Sequence, residues 1–133
     1  MPNMANITVK KADGTTDIVY TALTPSAGDG NAAAWRSETA GTAPGFKPQL
    51  KLWSKSNGNG SARRVEYSYS YPQTATDTTT SLTSVVNKPV GGGYFVIPNE
   101  VPDATLAEFT AQLTNLLASA LVRSSINAGY APT

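Results

Sequence analysis

Polar and apolar positions alternate most strictly over residues 49–72, and the pattern there predicts a β-hairpin. In Gln49-Leu50-Lys51-Leu52-Trp53-Ser54-Lys55, successive side chains point to opposite faces, so Leu50 and Leu52 lie on one side and Lys51, Trp53 and Lys55 on the other. Asn57-Gly58-Asn59-Gly60 is a turn signal, because asparagine and glycine accept the positive φ that tight hairpins need. On the second arm Val65, Tyr67, Tyr69 and Tyr71 share one face and Arg64, Glu66, Ser68 and Ser70 the other, until Pro72 ends or edges the strand. One face is therefore apolar and aromatic and needs a cover. The other is cationic, with small hydroxyls and an indole, and two readings of it stand: a solvated sheet surface, or a flat platform for a polyanion.

Before this hairpin, residues 6–12 and 16–23 read as a first hairpin about Asp13-Gly14. Residues 24–31 read as a loop, Ala33-Ala34-Trp35-Arg36-Ser37 as a short strand anchored by Trp35, and residues 38–45 as an exposed loop. After it, residues 73–80 are polar enough to predict a long exposed connection, and residues 81–87, with Leu82, Val85 and Val86, a weaker strand. Gly91-Gly92-Gly93 then precedes a short strand, Tyr94-Phe95-Val96-Ile97-Pro98. It is expected beside the central hairpin, with Phe95 and Ile97 on the covered face and Tyr94 opposite.

The period changes at Pro102. Leu106, Phe109, Leu113, Leu116, Leu117, Ala120 and Leu121 recur at steps of three and four, which places them on one stripe of an amphipathic helix of about five turns. Asp103 or Thr105 would cap its start, the latter with Glu108, Arg123 suits the negative end of the helix dipole, and Gly129 ends the helix beyond Ile126.

The expected fold class is α+β, a single domain over residues 1–133 with an N-terminal hairpin (1–23), a main antiparallel sheet (32–98) and a C-terminal helical region (103–128). A helix is about 10 Å across, whereas six strands at nearly 5 Å spacing exceed about 25 Å, so one helix leaves most of the apolar sheet face bare. A second copy, its sheet aligned edge to edge and its helix exchanged across, would bury that face and pair the exposed edges. Tyr67, Tyr69, Leu106, Phe109, Leu113, Leu116 and Leu117 are the expected core of such a homodimer, with Tyr71 also reading as core.

Composition removes most chemistry. The chain has no cysteine and no histidine, which excludes disulfides, thiolate and imidazole metal ligands and every triad with a histidine base. Its nine acids show no catalytic spacing, so no enzyme activity, catalytic residue, metal or cofactor is expected. No apolar run approaches the roughly 20 residues that span a bilayer, and the first residues lack the features of a secretion signal, so a soluble protein made in a cytoplasm and without a membrane partner is expected. A net charge of +1 argues against a nucleic-acid partner, but its distribution qualifies that: Lys47, Lys51, Lys55, Arg63 and Arg64 are five of the ten Lys and Arg residues, with no acid between Glu38 and Glu66.

In order and spacing the chain resembles the coat proteins of single-stranded RNA bacteriophages, the leviviruses. The likeness rests on the Asp-Gly hairpin, the Ala-x-Trp-x-Ser segment at 33–37, a basic strand, a polar turn, an alternating strand ending in proline, the Ile97-Pro98 strand end, Leu116-Leu117 and the closing Ile126-Asn127-Ala128-Gly129-Tyr130. It implies an interlocked dimer with one continuous sheet, each chain's helices packed on its partner, and dimers closing into an icosahedral shell of T=3 type, assembled in the bacterial host cytoplasm as a virion. It further implies that the inward sheet face binds single-stranded genomic RNA, including an RNA hairpin that represses translation. Aligned on Pro72 and Pro98, the inward positions are Arg64, Glu66, Ser68, Ser70 and Tyr94, with Lys51, Trp53 and Lys55 following from alternation on the neighbouring strand. Two departures stand out. A basic residue common in the middle of the family's alternating strand is replaced here by Ser68 or Glu66, and the Gly/Pro break between two C-terminal helices is missing, so one longer helix is expected, with any kink near Ser124.

RNA binding on this face would combine phosphate neutralisation by Lys51, Lys55 and Arg64, hydroxyl contacts from Ser68 and Ser70, and base stacking on Trp53 or Tyr94. The plainer reading of Trp53 and Tyr94 is as cross-strand aromatics covering a neighbour. Two other functions fit the pattern: a single-strand nucleic-acid-binding sheet module that forms no shell, and an adhesin or pilin-like subunit completed by a neighbour's strand.

Overall fold

The computed structural model describes residues 2–133, which form two compact units dividing between Ile97 and Pro98. The first unit is β throughout. Strands β1 (Ile7–Lys10), β2 (Asp17–Thr24), β3 (Ala33–Ser37), β4 (Gln49–Ser56), β5 (Ala62–Ser70) and β8 (Val90–Pro98) make one sheet in the order β1-β2-β3-β4-β5-β8, and β6 (Gln73–Thr76) with β7 (Thr83–Asn87) makes a separate two-stranded sheet. The first hairpin turns where expected. Asp13 Oδ1 accepts the amides of Thr15 and Thr16, both at 2.9 Å, and Gly14 supplies a φ of 74°.

Pairing from β1 to β5 is antiparallel throughout. Ala22, Trp35, Leu50 and Tyr69 form one row across four strands, with a bulge at Leu23. The sheet curls toward this row. β2 and β5 are separated by two strands, about 14 Å at normal spacing, yet the hydroxyls of Tyr20 and Tyr69 meet at 2.6 Å and their rings pack edge to face at 6.1 Å. Trp35, 8% exposed, sits in the hollow with its indole N–H donating to the Ala5 carbonyl at 2.8 Å. Loop 25–32 is latched to the central hairpin by Asp29, which bonds Arg63 Nη2 (2.6 Å) and the Ser56 amide, and by the Gly30 amide on the Ser54 carbonyl (2.8 Å).

The structure corrects several expectations. Residues 73–76 are strand rather than connection, although all four are exposed as their polarity requires. Threonine favours extended backbone, and Asp77 closes the turn to β7 by accepting the Thr79 and Thr80 amides. The glycines at 91–93 lie inside β8, not before it. There they admit close packing: a Cβ on Gly92 would stand 2.9 Å from the Tyr67 carbonyl oxygen, and one on Gly93 3.1 Å from the Tyr67 ring. The exposed loop at 38–45 runs into a 3-10 turn at Pro44–Phe46.

The second unit is helical, and the single long helix is not there. α1 (Asp103–Leu117) stops, Ser119 is extended (φ −65°, ψ 153°), and α2 (Ala120–Ala128) begins with the Ser119 carbonyl accepting the Arg123 amide at 3.0 Å. Thr114 loosens the last turn of α1 by bonding back to the Thr110 and Ala111 carbonyls. Capping also differs. Pro102 occupies the N-cap with no side-chain bond, Asp103 and Thr105 lie within α1, and Arg123 falls in the first half of α2 rather than at a helix end. Gly129 does terminate the helical region, at φ 76°, with its own amide and that of Tyr130 bonding the Ser125 carbonyl.

Candidate nucleic-acid interface

The β4–β5 register decides which side chains share a face, because residues directly opposite one another project to the same side. Lys51 is opposite Ser68, Trp53 opposite Glu66, Lys55 opposite Arg64, and Ser70 opposite Gln49. All seven sequence-predicted positions on these two strands therefore stand on one face. β8 lies beside β5, and Tyr94 joins them, since the Arg64 guanidinium carbon lies 3.9 Å from the Tyr94 ring centroid. The opposite face carries Leu50, Leu52, Val65, Tyr67 and Tyr69, with Tyr67 stacked on Phe95 at 5.8 Å, as the alternation of both strands requires.

The electrostatics of the face differ from a count along the chain. Of the five clustered cations, Lys47 pairs with Glu38, and Arg63 lies on the apolar side, paired with Asp29. Lys47 and then Arg36 hold the Glu38 carboxyl below its ordinary value, as Arg63 does for Asp29. Arg64 is on the platform but engaged twice. It lies over Tyr94, and its Nε is 3.0 Å from Glu66 Oε1, an ion pair off the line of a hydrogen bond. Among the described residues Lys51 and Lys55 are exposed and have no carboxylate partner, so the uncompensated charge of these two strands is theirs. One face of the exposed Tyr94 ring is already taken by Arg64, which leaves Trp53, half-buried opposite Glu66, with no such cover among the described residues.

Sequence reasoning missed Lys88 and Gln49. A cleft of about 220 Å³ opens between β4, β5 and the start of β8, lined by Gln49, Lys51, Ser68, Ser70, Lys88 and Val90 among others. Lys88 reaches this wall because Pro89, next to it, accepts the Tyr71 amide at 2.9 Å and fixes the junction between β7 and β8. In sequence it falls between the weaker strand at 81–87 and the glycines at 91–93, outside any predicted element, and only the pairing of β5 with β8 reveals it.

Neither helix has a buried residue. Of the expected dimer-core residues, Phe109, Leu116 and Leu117 are exposed, Leu106, Leu113, Tyr67 and Tyr69 half-buried. The C-terminal tail from Tyr130 to Pro132 folds against Leu121, Val122 and Ile126 to line an apolar cleft within the helical unit. Among the described residues no three acids gather to hold a metal ion, and no helix is long and apolar enough to cross a membrane.

No family model and no curated protein sequence matches the chain. Solved structures do match. The chain is similar to a virus-like particle protein of Beihai levi-like virus 21, at TM-score 0.82 and 15% identity over 99% of both chains. It is similar to one of bacteriophage NT-214, at TM-score 0.81 and 14% identity over 99% of this chain and 100% of that one. The protein capsid of bacteriophage GA superposes at TM-score 0.73 and 13% identity over 94% of each chain. The chain thus has the coat-protein fold of the levi-like RNA bacteriophages.

Proposed function

We propose that the protein is the structural subunit of an RNA-phage capsid: it dimerises, closes into an icosahedral shell in the bacterial cytoplasm, and holds single-stranded genomic RNA, an operator hairpin included, on the polar face of β4, β5 and β8. The observation that carries this is the match, over 99% of this chain and 99–100% of theirs, to proteins solved as virus-like particles.

The chain's own surfaces support the dimer. β8 is an edge strand of the sheet, with unpaired main-chain groups that invite another strand. Two helices without a buried residue and an aromatic sheet face have apolar surface in excess of what the chain covers. A partner that brings a second β8 edge and a second pair of helices answers both needs, with Tyr67, Tyr69, Leu106, Phe109, Leu113, Leu116 and Leu117 as its core. On the RNA face, Lys51 and Lys55 are the phosphate ligands, Trp53 the stacking surface, Ser68 and Ser70 the hydroxyl contacts, and Arg64, Glu66 and Tyr94 a fixed unit between them.

Negative-stain microscopy of the protein expressed alone is the test. Smooth round particles that protect RNA from nuclease are the expected result. A small oligomer that binds RNA without forming particles would instead make it a non-capsid single-strand-binding sheet. Retained RNA that is unchanged when Lys51, Lys55 and Arg64 are replaced by alanine would overturn the platform.

A further inference from the structure

A glycine amide that follows asparagine or aspartate is well placed to attack the side-chain carbonyl before it, because a five-membered ring closes and glycine has no side chain to crowd the approach. The chain has four such pairs, Asp13-Gly14, Asp29-Gly30, Asn57-Gly58 and Asn59-Gly60. In three of them the fold occupies the nitrogen. The Gly14 amide donates to the Lys11 carbonyl at 3.0 Å, that of Gly30 to the Ser54 carbonyl at 2.8 Å, and that of Gly60 to the Asn57 carbonyl at 3.2 Å. The Gly58 amide has no acceptor among the described residues and lies at the exposed tip of the β4–β5 hairpin. The electrophile beside it is held and polarised. Asn57 Oδ1 accepts the Ala62 amide at 3.2 Å, and Asn57 Nδ2 lies 3.0 Å from Ser61 Oγ, which itself donates to Asn59 Oδ1 at 2.7 Å. An N–H on a carbonyl oxygen bonds it more strongly as that oxygen gains charge, and a hydroxyl beside a departing nitrogen both gives and takes a proton.

We infer that Asn57 is a self-modifying site, converted to aspartate and isoaspartate within its own turn with water as the one co-reactant. Base in the solvent takes the Gly58 amide proton, and the nitrogen's electron pair forms a bond to Asn57 Cγ while the carbonyl pair moves onto Oδ1, against the Ala62 amide. That pair returns as the Cγ–Nδ2 bond breaks, and the nitrogen leaves as ammonia with a proton passed through Ser61 Oγ. Water then opens the succinimide ring. Attack at the former side-chain carbonyl leaves aspartate, and attack at the main-chain carbonyl leaves isoaspartate, so that an amide and water have become an acid and ammonia with no change of oxidation state. Asn59 has the same kind of neighbour and is spared, because Gly60 must first give up its bond to the Asn57 carbonyl. One conversion takes the net charge from +1 to zero and sets a carboxylate two residues from Lys55, which has no carboxylate partner among the described residues. The isoaspartate product also adds a main-chain carbon inside the turn that the Asn57 amide closes on the Ala62 carbonyl at 3.0 Å.

The test incubates the full chain in mildly alkaline buffer at body temperature and follows it by peptide mass spectrometry, with fragmentation that separates aspartate from isoaspartate. Asn57 and Asn59 have the same following residue, so each is the other's control. Conversion at 57 is expected to run about two- to tenfold ahead of conversion at 59, the factor that one hydrogen bond contributes. G58A should suppress conversion at 57 and leave the fold intact, since a Cβ there meets nothing and the φ of Gly58 is not positive. S61A, which removes the proton route, should slow conversion at 57 severalfold. Equal conversion at the two positions, or 59 ahead of 57, overturns the assignment. So does a chain that stays intact at 57 while a free peptide of residues 55–62 converts in the same buffer, because the turn would then protect the asparagine. An S61A rate equal to the parent's removes Ser61 from the step.

Discussion

Replacing Glu66 by glutamine is expected to tighten RNA binding, although it removes a charged group from the middle of the proposed interface. In the β4–β5 register Glu66 faces Trp53, which makes it the diagonal neighbour of both Lys51 and Lys55. Diagonal pairs on one face are about 7–8 Å apart. A phosphate on either lysine thus lies at about that distance from the Glu66 carboxylate, and Coulomb's law gives about 0.5 kcal/mol of repulsion at the dielectric of water and about 2 kcal/mol at an effective value of 20. The face is open, so the lower half of that range applies, and E66Q should gain about 0.5–1 kcal/mol, two- to fivefold in affinity at low salt. Its second effect is on Arg64. With the ion pair at 3.0 Å removed and the Tyr94 contact kept, Arg64 is free to neutralise a phosphate, and the salt slope should steepen by about 0.7. Anisotropy titrations at several salt concentrations measure both numbers. An unchanged slope with unchanged affinity would refute the electrostatic argument. Weaker binding would mean that Glu66 holds Arg64 in the geometry RNA needs.

Four further outcomes follow from the sheet. Y20F and Y69F should each cost about 1–3 kcal/mol in urea unfolding, since each leaves a partner hydroxyl unpaired in the hollow of the curl; the double variant should cost less than their sum, and strict additivity would exclude the bridge. Burial, and then the Tyr20 hydroxyl, push the Tyr69 phenol up, and a raised value means its contribution is complete below the ordinary tyrosine range and is lost as pH climbs past about 10, which thermal unfolding of parent and Y69F between pH 8 and 11 will register. On the acid side, the Thr16 hydroxyl and the Thr16 and Thr15 amides hold Asp13 at about 2; a depressed carboxyl stabilises above its unfolded value near 3.8 and stops doing so as pH falls from about 4 toward 2, so D13N should flatten the acid limb of a melting-temperature profile. In β8, G92A should destabilise by about 1–3 kcal/mol because its Cβ would meet the Tyr67 carbonyl, whereas G91A, which meets nothing, should not; equal costs in chemical unfolding would show that β8 is not seated on β5 as described.

Sequence pattern revealed the central hairpin almost completely, because strict alternation leaves no freedom. Once Leu50 and Tyr69 must share a side, Lys51, Trp53, Lys55, Arg64, Glu66, Ser68 and Ser70 are placed by arithmetic, and the register agrees. Partners in space were not legible in the same way. No acid lies between Glu38 and Glu66 along the chain, yet Asp29, Glu38 and Glu66 compensate three of the five clustered cations, the first from a loop 34 residues away. Nor does composition separate the exposed strand at 73–76 from an exposed loop, since both are polar. What distinguishes them is the ladder with β7, a contact between segments.

The broken helix had a signal of a different kind. At about 100° per residue, Val122 stands about 180° from Leu113 on a continuous helix and Ile126 about 140° away, so both would point off the stripe formed by Leu106, Leu113 and Leu117. An unbroken helix must therefore turn Val122 and Ile126 away from whatever covers that stripe. Making Ser119 extended resets the phase between the two helices and lets each present its own apolar side. Neither glycine nor proline is needed, because the gain from re-aiming two large aliphatic residues, about 1.5–3 kcal/mol each on full burial, outweighs the loss of a few helical hydrogen bonds at about 1 kcal/mol each. That gain is realised only where something buries them. Both helices lack a buried residue in the single chain, and Ile126 is 70% exposed, so the break itself is a reason to expect a partner surface.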